Sequence, residues 1–520
     1  MQWNTREELH FDSRVVRCFT DRPATLVAML DEAIQANAEA DAVVDERSRL
    51  TFRDLDVFAN GIAAHLQRLG LSAGDRLGLL MPNGWPFVAV FVGAMRCGVV
   101  PVPINIRAAR GDIAFILEDC SAGAVAVEPA LSDRLPEGAR SIICSTDALE
   151  RLADGNRPTA VAVAEEDAAA LLYTSGTTGK PKGVILTHLN LVHTCLHYRR
   201  HFNLGPNDRT VCAVPATHVT GFAALILAPL ASAGTVLIMK SFEVEAFLHL
   251  AASERMTWTI LVPAMYKLCL MRARLADYDL GAWRIGAYGG APMPEATIEA
   301  LAAELPNLAL VNAYGATETT SPATLMPLDD AGRHASSVGR VVACGELRIM
   351  DDAGHEVPPG VAGEVWIKGP MVVPGYWKRP EETASAFKAG FWRSGDIGSV
   401  DAEGYLRLSD RKKDLINRGG YKISSVEVEN VLQEHEAVAD AAVVPAPDPV
   451  LGEIVHAFVQ LRSAVSREEL RAFCAHRLAD YKLPDEFTLS TDPLPRNANG
   501  KLQKQVLRER LQAAVDLSSK

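Results

Sequence analysis

The stretch Ala168-Ala-Ala-Leu-Leu172, running into Tyr173-Thr-Ser-Gly-Thr-Thr-Gly-Lys-Pro-Lys-Gly183, governs how the rest of the chain is read. A short apolar run of this kind reads as a buried strand. The string after it has the composition that a polyphosphate demands. Gly176 and Gly179 let the backbone approach closely and turn N–H groups inward, Thr174, Ser175, Thr177 and Thr178 offer hydroxyl donors, and Lys180 and Lys182 bring positive charge. A Walker A loop needs four residues between its glycines and a Ser or Thr after its lysine. Here only Thr177 and Thr178 separate the glycines, and Pro181 follows Lys180. A plain polar turn needs neither the hydroxyl run nor both lysines. The string is therefore read as a phosphate loop of a different type.

Outward from it, helical and strand patterns alternate. Leu55, Phe58, Ala59, Ile62, Ala63, Leu66 and Leu69 recur at helical spacing up to Gly70, and Asp75–Met81 then reads as a buried strand. Phe87–Gly98 is a helix stopped by glycine, and Val99–Ile104 a strand. The alternation returns around 168–198, 210–240 and 257–316, which predicts layered parallel α/β structure. From Cys344 the texture changes to short alternating strands, Glu346–Met350, Gly363–Lys368 and Gly404–Leu408, as in a small β-barrel. The charged run Asp410-Arg-Lys-Lys-Asp414 follows, then a compact α+β piece with helices near 425–434, 467–479 and 501–515. The expected fold class is thus α/β: a large N-terminal domain of layered subdomains plus a β-barrel over 1–410, a connection at 411–414, and a small mobile α+β domain over 415–520.

Composition narrows the function. A chain of 520 residues suggests about three or four structural units. Its 52 Lys and Arg against 64 Asp and Glu leave a net charge of −12, which opposes broad attraction to nucleic acid or anionic lipid. The nine cysteines are scattered without metal-ligand spacing, which suits a reducing cytoplasm. No secretory signal is read at the N-terminus. Thr210–Met239 lacks charge, but Pro229 with Gly221, Ser232, Gly234 and Thr235 breaks it into a helix-like and a strand-like piece, so it is read as buried rather than membrane-spanning. His193, His197 and His201 share a helical face, which leaves a zinc site open as an alternative.

The string 173–183 resembles the signature of the adenylate-forming superfamily, which contains acyl-CoA and aryl-CoA synthetases, nonribosomal-peptide adenylation domains and luciferases. The resemblance continues colinearly to Lys501 through Tyr288-Gly-Gly-Ala-Pro292, Asn312-Ala-Tyr-Gly-Ala-Thr-Glu-Thr319, Ser394-Gly-Asp396, Arg418-Gly-Gly-Tyr-Lys422 and Pro495-Arg-Asn-Ala-Asn-Gly-Lys501. It is most like a stand-alone acyl-CoA or aryl-CoA synthetase. The resemblance implies that Gly290, Ala291 and Pro292 line one face of the adenine, Tyr314 the other, and that Asn312 bonds its amine. Thr317 would touch the α-phosphate, Glu318 would hold Mg²⁺, and Asp396 and Arg411 would bind ribose. Lys413 would be the hinge, Gly419, Gly420 and Lys422 would meet coenzyme A, and Lys501 would reach the carboxylate and α-phosphate. Many members have proline where this chain has Ser425, so the path of that loop is a departure.

Pro215-Ala-Thr-His218 matches the border of the family's acyl pocket, with His218 as a gate or wall, Gly221 on the same segment, and Val219, Phe222, Met293 and Ser321 as lining. These add no basic residue for a second carboxylate, so the expected acid is monocarboxylic, fatty or aromatic, and dicarboxylates are disfavoured. The implied activity is an ATP-dependent acid:CoA ligase that forms acyl-AMP and pyrophosphate and then the thioester, with ATP, Mg²⁺ and coenzyme A required. The alternatives are a freestanding enzyme that loads a carrier protein and a non-catalytic nucleotide sensor. A small-molecule acid and coenzyme A are the expected partners, without nucleic acid or integral membrane association, and homo-oligomerisation is left open.

Overall fold

The computed structural model describes residues 3–153, 155–174, 180–330, 334, 336–496 and 502–518. Contacts divide the chain into two units, one comprising Met1–Arg348, Trp366–Arg393 and Gly404–Leu406, the other Ile349–Val365, Ser394–Glu403 and Arg407–Lys520.

The first unit is built on a nine-stranded sheet with the order Arg340–Val341, Thr324–Leu325, Ala309–Tyr314, Ile285–Tyr288, Trp258–Leu261, Arg209–Cys212, Thr235–Ile238, Asp41–Val44 and Arg49–Thr51. Pairing is parallel from Ala309–Tyr314 through Asp41–Val44 and antiparallel at the two margins. The central strands are buried along almost their whole length, as strands of a parallel sheet covered on both faces are. A second, wholly parallel sheet runs Val100–Pro103, Arg76–Leu80, Ala122–Val127, Ser141–Ile143.

The helices follow the apolar spacing. Phe52–Arg68 opens at a capping box, in which the Thr51 side chain accepts from Asp54 N–H and the Asp54 carboxylate answers the Thr51 N–H, and it buries Leu55, Ala59, Ile62, Ala63 and Leu66. Trp85–Arg96 is buried along nearly its whole length, which explains why its sequence lacks amphipathic alternation. The uncharged Thr210–Met239 stretch is largely buried, with a wide π-type turn over Thr220–Leu227 followed by the strand Thr235–Ile238. Among the described residues, no helix is long and apolar enough to cross a membrane.

The second unit holds an antiparallel sheet ordered Tyr421–Ile423, Ile416–Arg418, Gly452–Leu461, Val438–Asp448, with Glu486–Ser490 added parallel to Gly452–Leu461. Helices Ser425–Gln433 and Arg467–Ala475 close over a core of Ile416, Ile423, Val428, Leu432, Val443, Val455, Val459, Leu470 and Phe487. The second of these ends at Ala475, short of the expected 479, because the chain turns through Asp480–Lys482 ahead of Pro484. The last helix begins at Lys504.

Candidate active site

In an open parallel sheet, ligands bind beyond the carboxyl ends of the strands. Of four neighbouring strands, three end here in segments that the sequence singled out: Cys212 leads to His218, Tyr288 to Gly289–Pro292, and Tyr314 to Thr317 and Glu318, while the fourth, Trp258–Leu261, leads to Val262. Tyr288 and Asn312 are register partners, and the Asn312 side chain bonds the Tyr288 hydroxyl, whose pKa burial nonetheless raises. Gly289 has no room for a side chain, since a Cβ would lie 2.4 Å from the Ala313 carbonyl oxygen, and Gly290 holds a φ of +78°. Gly290, Ala291 and Pro292 are exposed beside it, and Tyr314 is half-buried. Thr317 is buried in the single turn Thr317–Thr319, which carries Glu318 and ends in a left-handed Thr320.

Strands Ala168–Thr174 and Lys182–Thr187 form an antiparallel hairpin in which Lys182 pairs with Thr174, so both ends of the phosphate loop are fixed. Ser175, Gly176, Thr177, Thr178 and Gly179 themselves lie outside the described residues, as does Lys501. Lys180 is exposed, its Nζ 5.4 Å from the centre of the Phe115 ring. Lys182 Nζ lies 2.5 Å from the Glu382 carboxylate and 5.1 Å from the centre of the Tyr376 ring. The Tyr376 hydroxyl donates to Glu318 Oε1 at 2.9 Å. Burial and the adjacent Glu318 charge push the Tyr376 pKa well above the ordinary tyrosine range. Tyr376 and Glu382 are functional candidates that sequence reasoning missed. Their one signal was the aromatic pair in Gly375-Tyr-Trp377, which reads equally well as core.

His218 Nδ1 accepts from Thr220 N–H at 3.3 Å, and the His218 backbone N–H donates to the Pro215 carbonyl at 3.0 Å. Gly221 belongs to the same tight turn, where a Cβ would come within 2.3 Å of the Pro215 oxygen. Val219 and Met293 are buried, and Ser321 Oγ lies 3.2 Å from the Tyr198 hydroxyl. Phe222 is buried edge-on against Phe91, with ring centres 4.6 Å apart.

In the second unit, Arg411 Nε meets Asp396 Oδ1 at 3.0 Å, and the Ser394 hydroxyl accepts from Asp396 N–H. Lys413 is exposed in the turn after Arg411, and its carbonyl accepts from Arg508 at 3.0 Å. Gly419 and Gly420 both have positive φ, +56° and +93°, a conformation only glycine adopts freely. Lys422 is exposed, 3.4 Å from Asp352.

The histidine stripe does not form a metal site among the described residues. His193 Nε2 accepts from Phe19 N–H and its Nδ1 bonds the Leu189 carbonyl, His201 Nε2 bonds the Met326 carbonyl, and burial lowers the pKa of all three rings. Glu8, His10 and Cys18 do cluster, but both Glu8 oxygens already accept from Arg22, at 2.9 and 2.6 Å, which leaves a cation facing a guanidinium. Glu318 differs. Its carboxylate is the hard oxygen donor that Mg²⁺ prefers, and among the described residues only its Oε1 is engaged by a hydrogen bond.

These features, loops at strand ends, a hydroxyl- and lysine-rich hairpin and a small glycine-bearing second unit, define an adenylate-forming enzyme. The chain belongs to the AMP-binding enzyme family, whose profile matches residues 30–377, with the AMP-binding enzyme C-terminal domain matching 427–501. Long-chain-fatty-acid–CoA ligase FadD13 of Mycobacterium tuberculosis is 36% identical over 479 residues, covering 90% of this chain and 94% of that protein. Feruloyl-CoA synthase of an Amycolatopsis species is 33% identical over 473 residues, covering 91% and 96%. The structure of O-succinylbenzoate coenzyme A synthetase from Bacillus subtilis with ATP and magnesium superposes with a TM-score of 0.84 at 29% identity, covering 93% of this chain and 99% of that one. The chain is an AMP-forming acid–thiol ligase, an acyl-CoA synthetase.

Proposed function

We propose that this ligase activates a monocarboxylic fatty or aromatic acid in the cytoplasm. The observation that carries the reading of the site is the approach of Lys182, Tyr376 and Glu318 at the mouth of the phosphate hairpin. The preference for a monocarboxylic acid rests on Val219, Met293 and Ser321, which offer no cation to a second carboxylate, and on the long-chain and feruloyl substrates named for two relatives.

In the first step, a carboxylate oxygen of the acid attacks the α-phosphorus of ATP, and the bond to the bridging oxygen breaks to release pyrophosphate. In the second, the sulfur of coenzyme A attacks the acyl carbon, and AMP leaves with the bonding pair. No enzyme nucleophile is needed, so this chain's residues work by positioning and charge neutralisation. Gly290, Ala291, Pro292, Asn312 and Tyr314 hold the base, Asp396 and Arg411 the ribose, Thr317 the α-phosphate, and Thr174 to Lys182 the outer phosphates. Glu318 would hold Mg²⁺, which offsets phosphate charge when bound. Lys501 serves the first step and the Gly419–Lys422 loop the second, with rotation at Lys413, between 1–410 and 415–520, exchanging them. His218 walls the acid pocket.

Incubation with ATP, Mg²⁺, coenzyme A and a panel of fatty, aryl and dicarboxylic acids should yield fatty or aryl thioesters by mass spectrometry, with matching pyrophosphate. Pyrophosphate without thioester would instead identify a carrier-protein loader. A preference for dicarboxylates would overturn the proposed acid class.

A further inference from the structure

Glu318 is held from one side by a single segment. Val373 N–H donates to its backbone carbonyl at 3.0 Å, and the Tyr376 hydroxyl donates to Oε1 at 2.9 Å, while Oε2 has no partner among the described residues. That segment is laced to the phosphate hairpin, with Trp377 N–H donating to the Gly183 carbonyl at 2.7 Å and Ile185 N–H to the Gly375 carbonyl at 3.2 Å. Gly183 is tightly enclosed there, since a Cβ would lie 3.1 Å from the Tyr173 ring and 3.2 Å from Trp377.

Asp119, at the end of helix Arg110–Asp119, ties the two pieces together from behind. One carboxylate oxygen accepts from the Tyr173 hydroxyl at 2.6 Å and the other pairs with Arg379 at 2.7 Å, while its carbonyl accepts from Lys378 at 2.8 Å and from the Trp377 indole at 3.3 Å. Tyr173 immediately precedes the phosphate loop. The root of that loop and the phenol that orients Glu318 are therefore anchored on the same aspartate.

We propose that Tyr376 is a positioning residue that presents the Glu318 carboxylate to the divalent cation accompanying ATP, with Asp119 fixing it relative to the phosphate hairpin. This rests on the reading that Glu318 holds the cation. By occupying Oε1 in one direction, the phenol leaves Oε2 as the oxygen available for coordination. The arrangement is the oxygen-ligand counterpart of the outer partners that orient metal-bound histidines.

The test is Mn²⁺ binding, read as loss of the free-ion electron paramagnetic resonance signal, with a non-hydrolysable ATP analogue and purified full-length enzyme. Wild type, Tyr376→Phe and Glu318→Gln are compared, and metal-free nucleotide affinity and the melting curve report folding. Tyr376→Phe should weaken Mn²⁺ binding about 10-fold while leaving metal-free nucleotide affinity unchanged. Asp119→Asn should shift Mn²⁺ binding in the same direction. Wild-type Mn²⁺ affinity in Tyr376→Phe alongside weak binding in Glu318→Gln would overturn the positioning role. Wild-type affinity in Glu318→Gln would overturn the underlying assignment of the cation to Glu318.

Discussion

A lysine on a loop and a phenylalanine in a core answer to different physics, and two substitutions expose the difference. Lys501→Ala should slow acyl-AMP formation by about 100-fold or more, since one charge-stabilising group aimed at the reacting phosphate is typically worth that much. Thioester formation from supplied acyl-AMP should stay near wild type. Equal loss in both half-reactions would remove Lys501 from its proposed role. Phe222 has 1% of its surface exposed and packs edge-on against Phe91. Phe222→Ala should lower stability by about 3–5 kcal/mol in denaturant titration. A small loss of stability with altered acid preference would instead place the ring in the acid pocket. The sequence reading made Phe222 part of the acid-pocket lining, and hydrophobicity alone does not distinguish a pocket wall from a filled core.

At the scale of elements, the departure at Ser425 acquires a physical account. Ser425 is fully buried at the start of helix Ser425–Gln433, and Asp410 Oδ2 accepts from both its N–H, at 2.5 Å, and its hydroxyl, at 2.6 Å. Lys504 donates to the same hydroxyl at 2.7 Å and pairs with Glu429 at 2.7 Å. A proline at this position lacks the N–H and leaves a buried carboxylate short of donors. Ser425→Pro should therefore cost about 3 kcal/mol or more, and Ser425→Ala, which keeps the N–H, about 1–2 kcal/mol; comparing their melting curves checks the order. Lys413→Pro bears on the hinge. By fixing φ in the turn after Arg411 it should slow thioester formation more than acyl-AMP formation, and equal rates with wild type in both steps would refute the hinge.

Strands and helices in the first unit were legible because apolar period and length agree over Phe52–Arg68, and because the lengths of the continuous apolar runs and the glycines that stop them separate the strand Arg76–Leu80 from the helix Trp85–Arg96. The family was legible because the string 173–183 joins glycine, hydroxyl and lysine in a mixture that a plain turn does not need. The partners of its motifs were not. Asp119 lies 54 residues before Tyr173, and Tyr376 and Glu382 lie about 200 residues after Lys182, so neither their hydrogen bonds nor their ion pairs leave a local pattern in sequence.

For the molecule as a whole, pH dependence adds another test. Burial outweighs Lys504 and pushes the Glu429 carboxyl up to about 7, from 4.5. Between those values the folded state binds the proton more readily than the unfolded chain, so this group's contribution to stability is full below 4.5 and is lost as pH rises through 7. Glu429→Gln should flatten the fall in melting temperature between pH 5 and 8. Glu8 acts in the opposite sense. Its Arg22 hydrogen bonds hold it down to about 2, so its contribution is present above 4.5 and lost as pH falls toward 2. An unchanged pH slope in Glu429→Gln would show that Glu429 is already ionised in the folded protein.

The sheet order has an evolutionary corollary. The loop bearing His218 and the loops bearing Gly290 and Glu318 leave separate strands of one rigid frame, with the Trp258–Leu261 strand between them. Mutations in the first loop can therefore accumulate without disturbing the others. Under the proposed site, a lineage built this way can vary the His218 wall of the acid pocket by drift in one loop, whereas Met293 and Ser321 share their loops with the nucleotide residues and are free to change far less.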